Sequence, residues 1–287
     1  MTHRVYTSDH ELAYVQRPDG VLIDPDYDPV SGRLTVLNLP VDSISYSYIG
    51  STGQLAAVTR PTQGVVFLYD GSLPVKDTFI GDVNGEVFRT FTSDMQLASI
   101  KVSDTATVDY GYDNDLLLTR VGELTLARHP QNGLVTTTVL RQSQTSYIYN
   151  GFGEGSGMAA SVGAAPTFSE TVQYDGAGRI SGRTETSETG TTSYVYGYDE
   201  AGRLHQVDRS TGDSTTYNYD PNSNRTSRVA GTSESGTYDD QDRLLFYGSY
   251  SYSYGANGEL QAKTHVPTGA GTGYSYGALG NLEMVQL

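Results

Sequence analysis

The chain has 287 residues, 18 Lys+Arg against 33 Asp+Glu, and a formal net charge of −15. Hydrophobic residues make up only 37 % and charged residues 18 %, while Gly (33) and Tyr (23) are abundant. Turn and strand formers in that proportion exclude a mainly helical fold, and the acidity argues against a nucleic-acid partner.

From the N-terminus, aromatic residues close short alternating strands at Tyr6, Tyr27, Tyr48, Tyr69, Phe91 and Tyr112, at intervals of 21, 21, 21, 22 and 21. The next interval, from Tyr112 to Tyr149, is long enough to hold one degenerate unit around Leu124 to Val135. The stretch around 113–173 is irregular, and its Gly-rich part from Gly151 to Ala165 reads as a flexible connection. The series resumes at Tyr149, Tyr174, Tyr198, Tyr219, Tyr238, Tyr254 and Tyr276, with gaps of 25, 24, 21, 19, 16 and 22. Residues 1–287 thus read as a single array of about 13 units.

Each unit has the content of a β-hairpin. An aliphatic residue follows the aromatic by six positions at Leu12, Val75, Leu97, Leu118, Ile180, Leu204, Leu244, Leu260 and Leu282, and by seven at Leu34 and Leu55. Between them sits a turn with Asp directly after the aromatic and often Gly four residues after it, as at Gly153, Gly178, Gly202, Gly258 and Gly280. Asp bonds its own backbone two residues on, and Gly accepts positive φ. Strand alternation puts Tyr194, Tyr196 and Tyr198 on one face, so tyrosines are expected to replace an aliphatic core. The turn arginines Arg33, Arg179, Arg203 and Arg243 should lie near these rings and the turn aspartates.

Isolated hairpins are marginal, so the units must pair side by side. About 26 strands at ~4.8 Å would make a ribbon on the order of 125 Å wide, and twisted sheets of that width curl. The expected fold is all-β: tandem hairpins in a continuous curved or spiral sheet, part of a hollow barrel-like shell.

Two segments carry a family resemblance. Tyr174-Asp175-Gly176-Ala177-Gly178-Arg179-Ile180 and Tyr198-Asp199-Glu200-Ala201-Gly202-Arg203-Leu204 resemble the Tyr-Asp-x-x-Gly-Arg-Leu motif of YD repeats. Such repeats define the Rhs (rearrangement hot spot) proteins and occur in bacterial toxin complexes and teneurins. Tyr219-Asp220-Pro221-Asn222-Ser223-Asn224-Arg225 is similar to an Asn-Arg variant, and Tyr276 to Leu282 to a Gly-Asn-Leu variant. The resemblance assigns structural motif roles to Tyr27, Asp28, Tyr48, Tyr69, Asp70, Tyr112, Asp113, Tyr174, Asp175, Gly178, Arg179, Tyr198, Asp199, Gly202, Arg203, Tyr219, Asp220, Tyr238, Asp239 and Tyr276. It implies a secreted or surface-displayed shell that encloses a C-terminal toxin in bacterial members and forms an adhesion ectodomain in teneurins. This chain then reads as an excised section of shell whose partner is the remainder of a longer polypeptide. The self-cleaving Asp-Pro-x-Gly site of toxin-bearing members has no match, because Asp28-Pro29-Val30-Ser31-Gly32 carries an extra residue.

Catalysis finds no support in the residues. The carboxylate pairs Asp24 with Asp26, Asp113 with Asp115, and Asp239-Asp240 read as turn openers rather than acid/base couples. His3, His10, His129, His205 and His265 show no metal-ligand spacing, and there is no Cys. No cofactor and no membrane span are expected, and the first twenty residues do not read as a signal peptide. The principal expectation is a non-enzymatic shell segment shielding a polypeptide. The alternative is a cell-surface adhesion or carbohydrate-binding module using exposed tyrosines and a glycan partner.

Overall fold

The computed structural model describes residues 1–287 and contains 28 strands and no helix, from His3–Tyr6 to Leu282–Gln286, in one sheet. Pairing is antiparallel between consecutive strands. Twenty-eight strands are two more than thirteen hairpins require. The extra hairpin, Leu124–Arg128 with Val135–Leu140, fills the long interval between Tyr112 and Tyr149.

Two register rules repeat along the ladder. At the Tyr-Asp end, the tyrosine sits at a register shift opposite the aliphatic that opens the outgoing strand, as Tyr198 faces Leu204 and Tyr276 faces Leu282. Such bulges kink and twist a strand locally. On the other side of the outgoing strand, the residue two beyond that aliphatic faces the residue three before the next tyrosine. Val36 faces Ser45, Ala57 faces Val66, Gly182 faces Val195, and Ala262 faces Gly273. The same offset, counted from whichever residue faces the ring, holds where Pro74, Gly155 or Arg225 takes the place of the aliphatic, while the turns differ in length.

By its contacts the chain divides into two compact units, Met1–Asp109 with Tyr252–Leu287, and Tyr110–Ser251. The first unit thus contains both the first and the last hairpins. Apolar burial is slight throughout: Ile44, at 8 % exposure, is the one buried hydrophobic side chain. The accessible surface is 18246 Å², against roughly 12,000 Å² for a globular monomer of this mass. Side chains along the strands stay largely part-exposed in both units, which accounts for the difference.

Two local expectations are corrected. The Gly-rich stretch is no flexible connection: Gly155–Val162 is a regular strand paired with Ser143–Tyr149 on one side and Ala165–Tyr174 on the other. Main-chain bonds to both neighbours hold it where side chains are small, and the carbonyl of Glu170 lies 3.1 Å from where a Cβ on Gly157 would stand. Asp24 and Asp26 open no turn. They lie within the strand Leu22–Tyr27, where Asp26 accepts a 2.8 Å hydrogen bond from Asn38 on the next strand.

Candidate functional site: the Tyr-Asp turn

The turn is built by its aspartate. Asp175 Oδ1 accepts the backbone N–H groups of Ala177 and Arg179, at 2.9 and 3.0 Å, while the main chain closes through Asp175 N–H to the Arg179 carbonyl at 2.8 Å. Asp199 and Asp239 make the same Oδ1 bond to the N–H of Arg203 and Arg243. Gly178 and Gly202 occupy the left-handed position, φ 75° and 79°, with their N–H groups returned to the aspartate carbonyls. The second carboxylate oxygen of each aspartate takes the arginine: Nε to Oδ2 is 2.8 Å for Arg179–Asp175 and 2.7 Å for Arg203–Asp199 and Arg243–Asp239. Donation from the backbone N–H of the arginine is the main cause holding all three carboxyls below their ordinary pKa.

The arginines Arg179 and Arg203, so fixed, reach the next hairpin, and Arg33 does so without a bond to its turn aspartate. Arg179 lies over the Tyr198 ring at 4.3 Å, Arg203 over Tyr219 at 4.7 Å, and Arg33 over Tyr48 at 5.5 Å. Each of these rings then donates its hydroxyl to the carbonyl beside that arginine: Tyr198 to Ile180 at 2.7 Å, Tyr219 to Leu204 at 2.7 Å, Tyr48 to Leu34 at 2.8 Å. Tyr69 bonds Leu55, Tyr149 bonds Val135, and Tyr238 bonds Arg225 in the same way, while Tyr174 reaches Gly155. Asp, Arg, the following Tyr and a carbonyl thus form a bracket from one hairpin to the next. Desolvation raises the phenol pKa of Tyr219 and Tyr238.

The remaining motif positions vary the scheme. Asp28 accepts from Ser31 N–H and hydroxyl, both at 2.7 Å, in a turn one residue longer that closes after Tyr27. Asp113, after Tyr112, accepts from Asp115 and Leu117. Asp220 holds Asn224 in place of an arginine, through its N–H at 2.8 Å and its side-chain amide at 3.0 Å. Asp70 departs from the motif: it ends the strand Gln63–Asp70 opposite Leu73, across a two-residue turn. After Tyr276, Gly277 stands where the aspartate would be, and its N–H bonds the Asn281 carbonyl at 2.9 Å.

Two features lie outside the aromatic series. In the hairpin between Tyr112 and Tyr149, Arg128 occupies the tyrosine position, and its Nε donates to the Leu118 carbonyl at 2.9 Å. That is the bond a phenol makes elsewhere, delivered by a guanidinium. Within the first unit, Arg17, in the turn joining the first two hairpins, clasps the Tyr-Asp turns of the last two. Its Nη2 meets Glu259 Oε1 at 2.6 Å, and its Nη1 donates to the carbonyls of Gly277, at 3.0 Å, and Ala278. Only 11 % of this side chain is exposed. Asp19 and Asn257 add a second link, Nδ2 to Oδ2 at 2.6 Å. These side chains hold one turn to another, and the structure gathers no three or more His, Asp or Glu residues around a metal position.

Comparison with known proteins follows the same lines. The family described as Teneurin YD-shell matches residues 2–286. No curated protein matches the sequence. Among solved structures, the chain is similar to one in the Photorhabdus luminescens Tc holotoxin pore, with a TM-score of 0.77 at 14 % identity over 99 % of this chain and 19 % of that one. A chain of TcdB2-TccC3 gives 0.77 at 14 % over 99 % and 20 %. The form of TcdB2-TccC3 without its hypervariable C-terminal region gives 0.77 at 14 % over 99 % and 19 %. The chain spans about a fifth of the length of these relatives, and at this identity the likeness is one of fold.

Proposed function

The chain belongs to the Teneurin YD-shell family, and from that premise we propose that it is a non-enzymatic wall segment of a larger secreted or surface-displayed protein. Its role is steric: the sheet encloses or shields a polypeptide, and its principal partner is the rest of that longer protein. The observation that carries this reading is a 28-stranded sheet with almost no buried hydrophobic side chain, Ile44 excepted, and an accessible surface of 18246 Å². Apolar side chains left part-exposed along the strands offer a surface for something else to occupy. The hydrogen bonds of the turn residues support the structural reading, since the aspartates and arginines of the motif are committed to main chain and to neighbouring rings.

The adhesion reading rests on exposed rings. Among the tyrosines, Tyr6, Tyr14 and Tyr250 are the well-exposed ones, at 55 %, 38 % and 39 %. The motif tyrosines of the brackets are half-buried beneath arginines and bonded through their hydroxyls. That arrangement favours the wall over a sugar-stacking platform.

Two measurements test the proposal. Small-angle scattering should give a radius of gyration well above about 19 Å, the globular value for this length. A protease-sensitive polypeptide joined after Leu287 should be cut more slowly than the same polypeptide alone. Equal cleavage rates together with a globular radius would refute the shielding role.

A further inference from the structure

Asparagine is followed by glycine at Asn84-Gly85, Asn132-Gly133, Asn150-Gly151 and Asn257-Gly258. In such a pair the glycine amide nitrogen can attack the asparagine side-chain carbonyl and expel its nitrogen, because no side chain shields the attacking atom. The local fold decides where that happens.

At three of the pairs the fold occupies the glycine. The amides of Gly133 and Gly258 donate to the carbonyls of His129, at 2.9 Å, and Gly255, at 3.0 Å. Both glycines lie at positive φ, 70° and 86°, so their turns call for them. Gly85 begins a strand opposite Phe79, and a Cβ on it would stand 3.1 Å from the Ser103 hydroxyl. Gly151 differs on every count. Its amide donates to no acceptor, its φ is not positive, and a Cβ on it would meet nothing within 4 Å. Nothing in the conformation of this turn calls for a glycine there.

Asn150 holds the aspartate's place in the turn after Tyr149, and Glu154 the arginine's. Asn150 Oδ1 accepts the N–H groups of Phe152 and Glu154, at 2.9 and 3.0 Å, the distances found at Asp175. Two donors on a carbonyl oxygen stabilise the oxyanion that forms when its carbon is attacked. Asn150 Nδ2 donates to Glu154 Oε2 at 2.6 Å, so the atom that must leave already rests against a carboxylate. Asp175-Gly176 occupies the same turn positions, but its carboxylate is ionised and paired with Arg179, which makes it a poor target for a nucleophile.

We propose that Asn150 is a site of self-modification, at which the turn converts its own asparagine. Gly151 N bonds to Asn150 Cγ, and its proton passes through solvent water to Glu154. The Cγ–Nδ2 bond breaks, and Glu154 hands that proton to Nδ2, which leaves as ammonia. Water then opens the cyclic imide, at one carbonyl to give aspartate and at the other to give isoaspartate. Aspartate completes a Tyr-Asp pair but sets a second negative charge against Glu154. Isoaspartate adds a carbon to the main chain beside the pairing of Tyr149 with Gly155. Either product weakens this turn. The proposal does not depend on the shielding role and survives its failure.

The whole folded chain, held at mildly alkaline pH and followed by peptide mass spectrometry with chromatographic separation of isoaspartate, tests it. Asn150 should convert about tenfold faster than Asn84, Asn132 or Asn257. In denaturant the four should become alike. Gly151→Ala enters open space, so it should keep the melting temperature and slow conversion about tenfold. Glu154→Gln keeps an acceptor for Nδ2 but cannot carry the proton, and should also slow it about tenfold. Circular dichroism checks that both variants are folded, and the comparison of the four pairs in the unaltered chain stands without them. Conversion at Asn150 no faster than at the other three, or a rate that either substitution leaves unchanged, overturns the proposal.

Discussion

The Tyr219 hydroxyl donates to the Leu204 carbonyl, 2.7 Å away in the preceding hairpin, while Arg203 covers the ring of the same tyrosine at 4.7 Å. One side chain therefore closes a step of the array by two different forces. Tyr219→Phe removes the hydrogen bond and keeps the ring, and should cost about 1 kcal/mol in thermal unfolding. Tyr219→Leu removes the cation–ring contact as well and should cost about 1 kcal/mol more.

Arg128 makes the corresponding bond to Leu118 from a tyrosine position. Arg128→Tyr should cost about 1 kcal/mol, since the phenol can replace the bond to Leu118 but not the 2.7 Å bond from Nη1 to the Gly133 carbonyl. Arg128→Leu strands the carbonyls of both Leu118 and Gly133 and should lower the melting temperature further. An equal effect of both changes would show that the donor is irrelevant.

The left-handed turn position holds Gly in some hairpins and Met95 or Leu116 in others, at φ 63° and 62°. Met95 is 71 % exposed, so its side chain contributes little packing. Met95→Gly relieves the clash of Cβ with the carbonyl and, after the entropy lost by glycine, should stabilise the chain by about 0.5 to 1 kcal/mol. Gly202→Ala, at φ 79°, should destabilise it. Chemical denaturation of both variants measures the pair.

Asp175, Asp199 and Asp239 titrate below their ordinary value of 3.8 in the folded chain. The unfolded chain therefore binds protons first as pH falls, and the stability these groups confer is complete above 3.8 and lost as pH drops through the depressed folded values. Tyr219 and Tyr238 are raised above 10.0 by desolvation. Their stability is full below 10.0 and lost as pH rises through the folded values. Melting temperature against pH should stay flat between these limits and fall outside both. Asp199→Asn should blunt the acid limb while leaving the alkaline limb in place.

Much of this was legible in the sequence because the turn chemistry is local. Tyr198, Asp199, Gly202 and Arg203 lie within six residues, and each has a conformational or bonding reason to be there. The hairpin at Leu124–Arg128 was harder to see as a full unit, since Arg128 delivers the tyrosine's hydrogen bond without an aromatic ring, and His129 stands in the aspartate's place. The Arg17 clasp left no trace in the repeat pattern. Its partners at Gly277 and Ala278 are carbonyls, which any residue supplies, and they lie 260 and 261 positions away. Gly155–Val162 misled because small residues signal looseness when taken alone, whereas a strand bonded on both flanks needs little from its side chains.

The bracket from each arginine to the following phenol has a bearing on how such a protein changes length. Because the bracket spans one step and no further, removing or duplicating a whole hairpin rejoins matching halves, while loss of a single strand reverses the direction of everything downstream. Growth and shrinkage are thus quantised in doublets of strands, and a gene encoding this wall can be lengthened by copying a short stretch of itself without redesigning the seam.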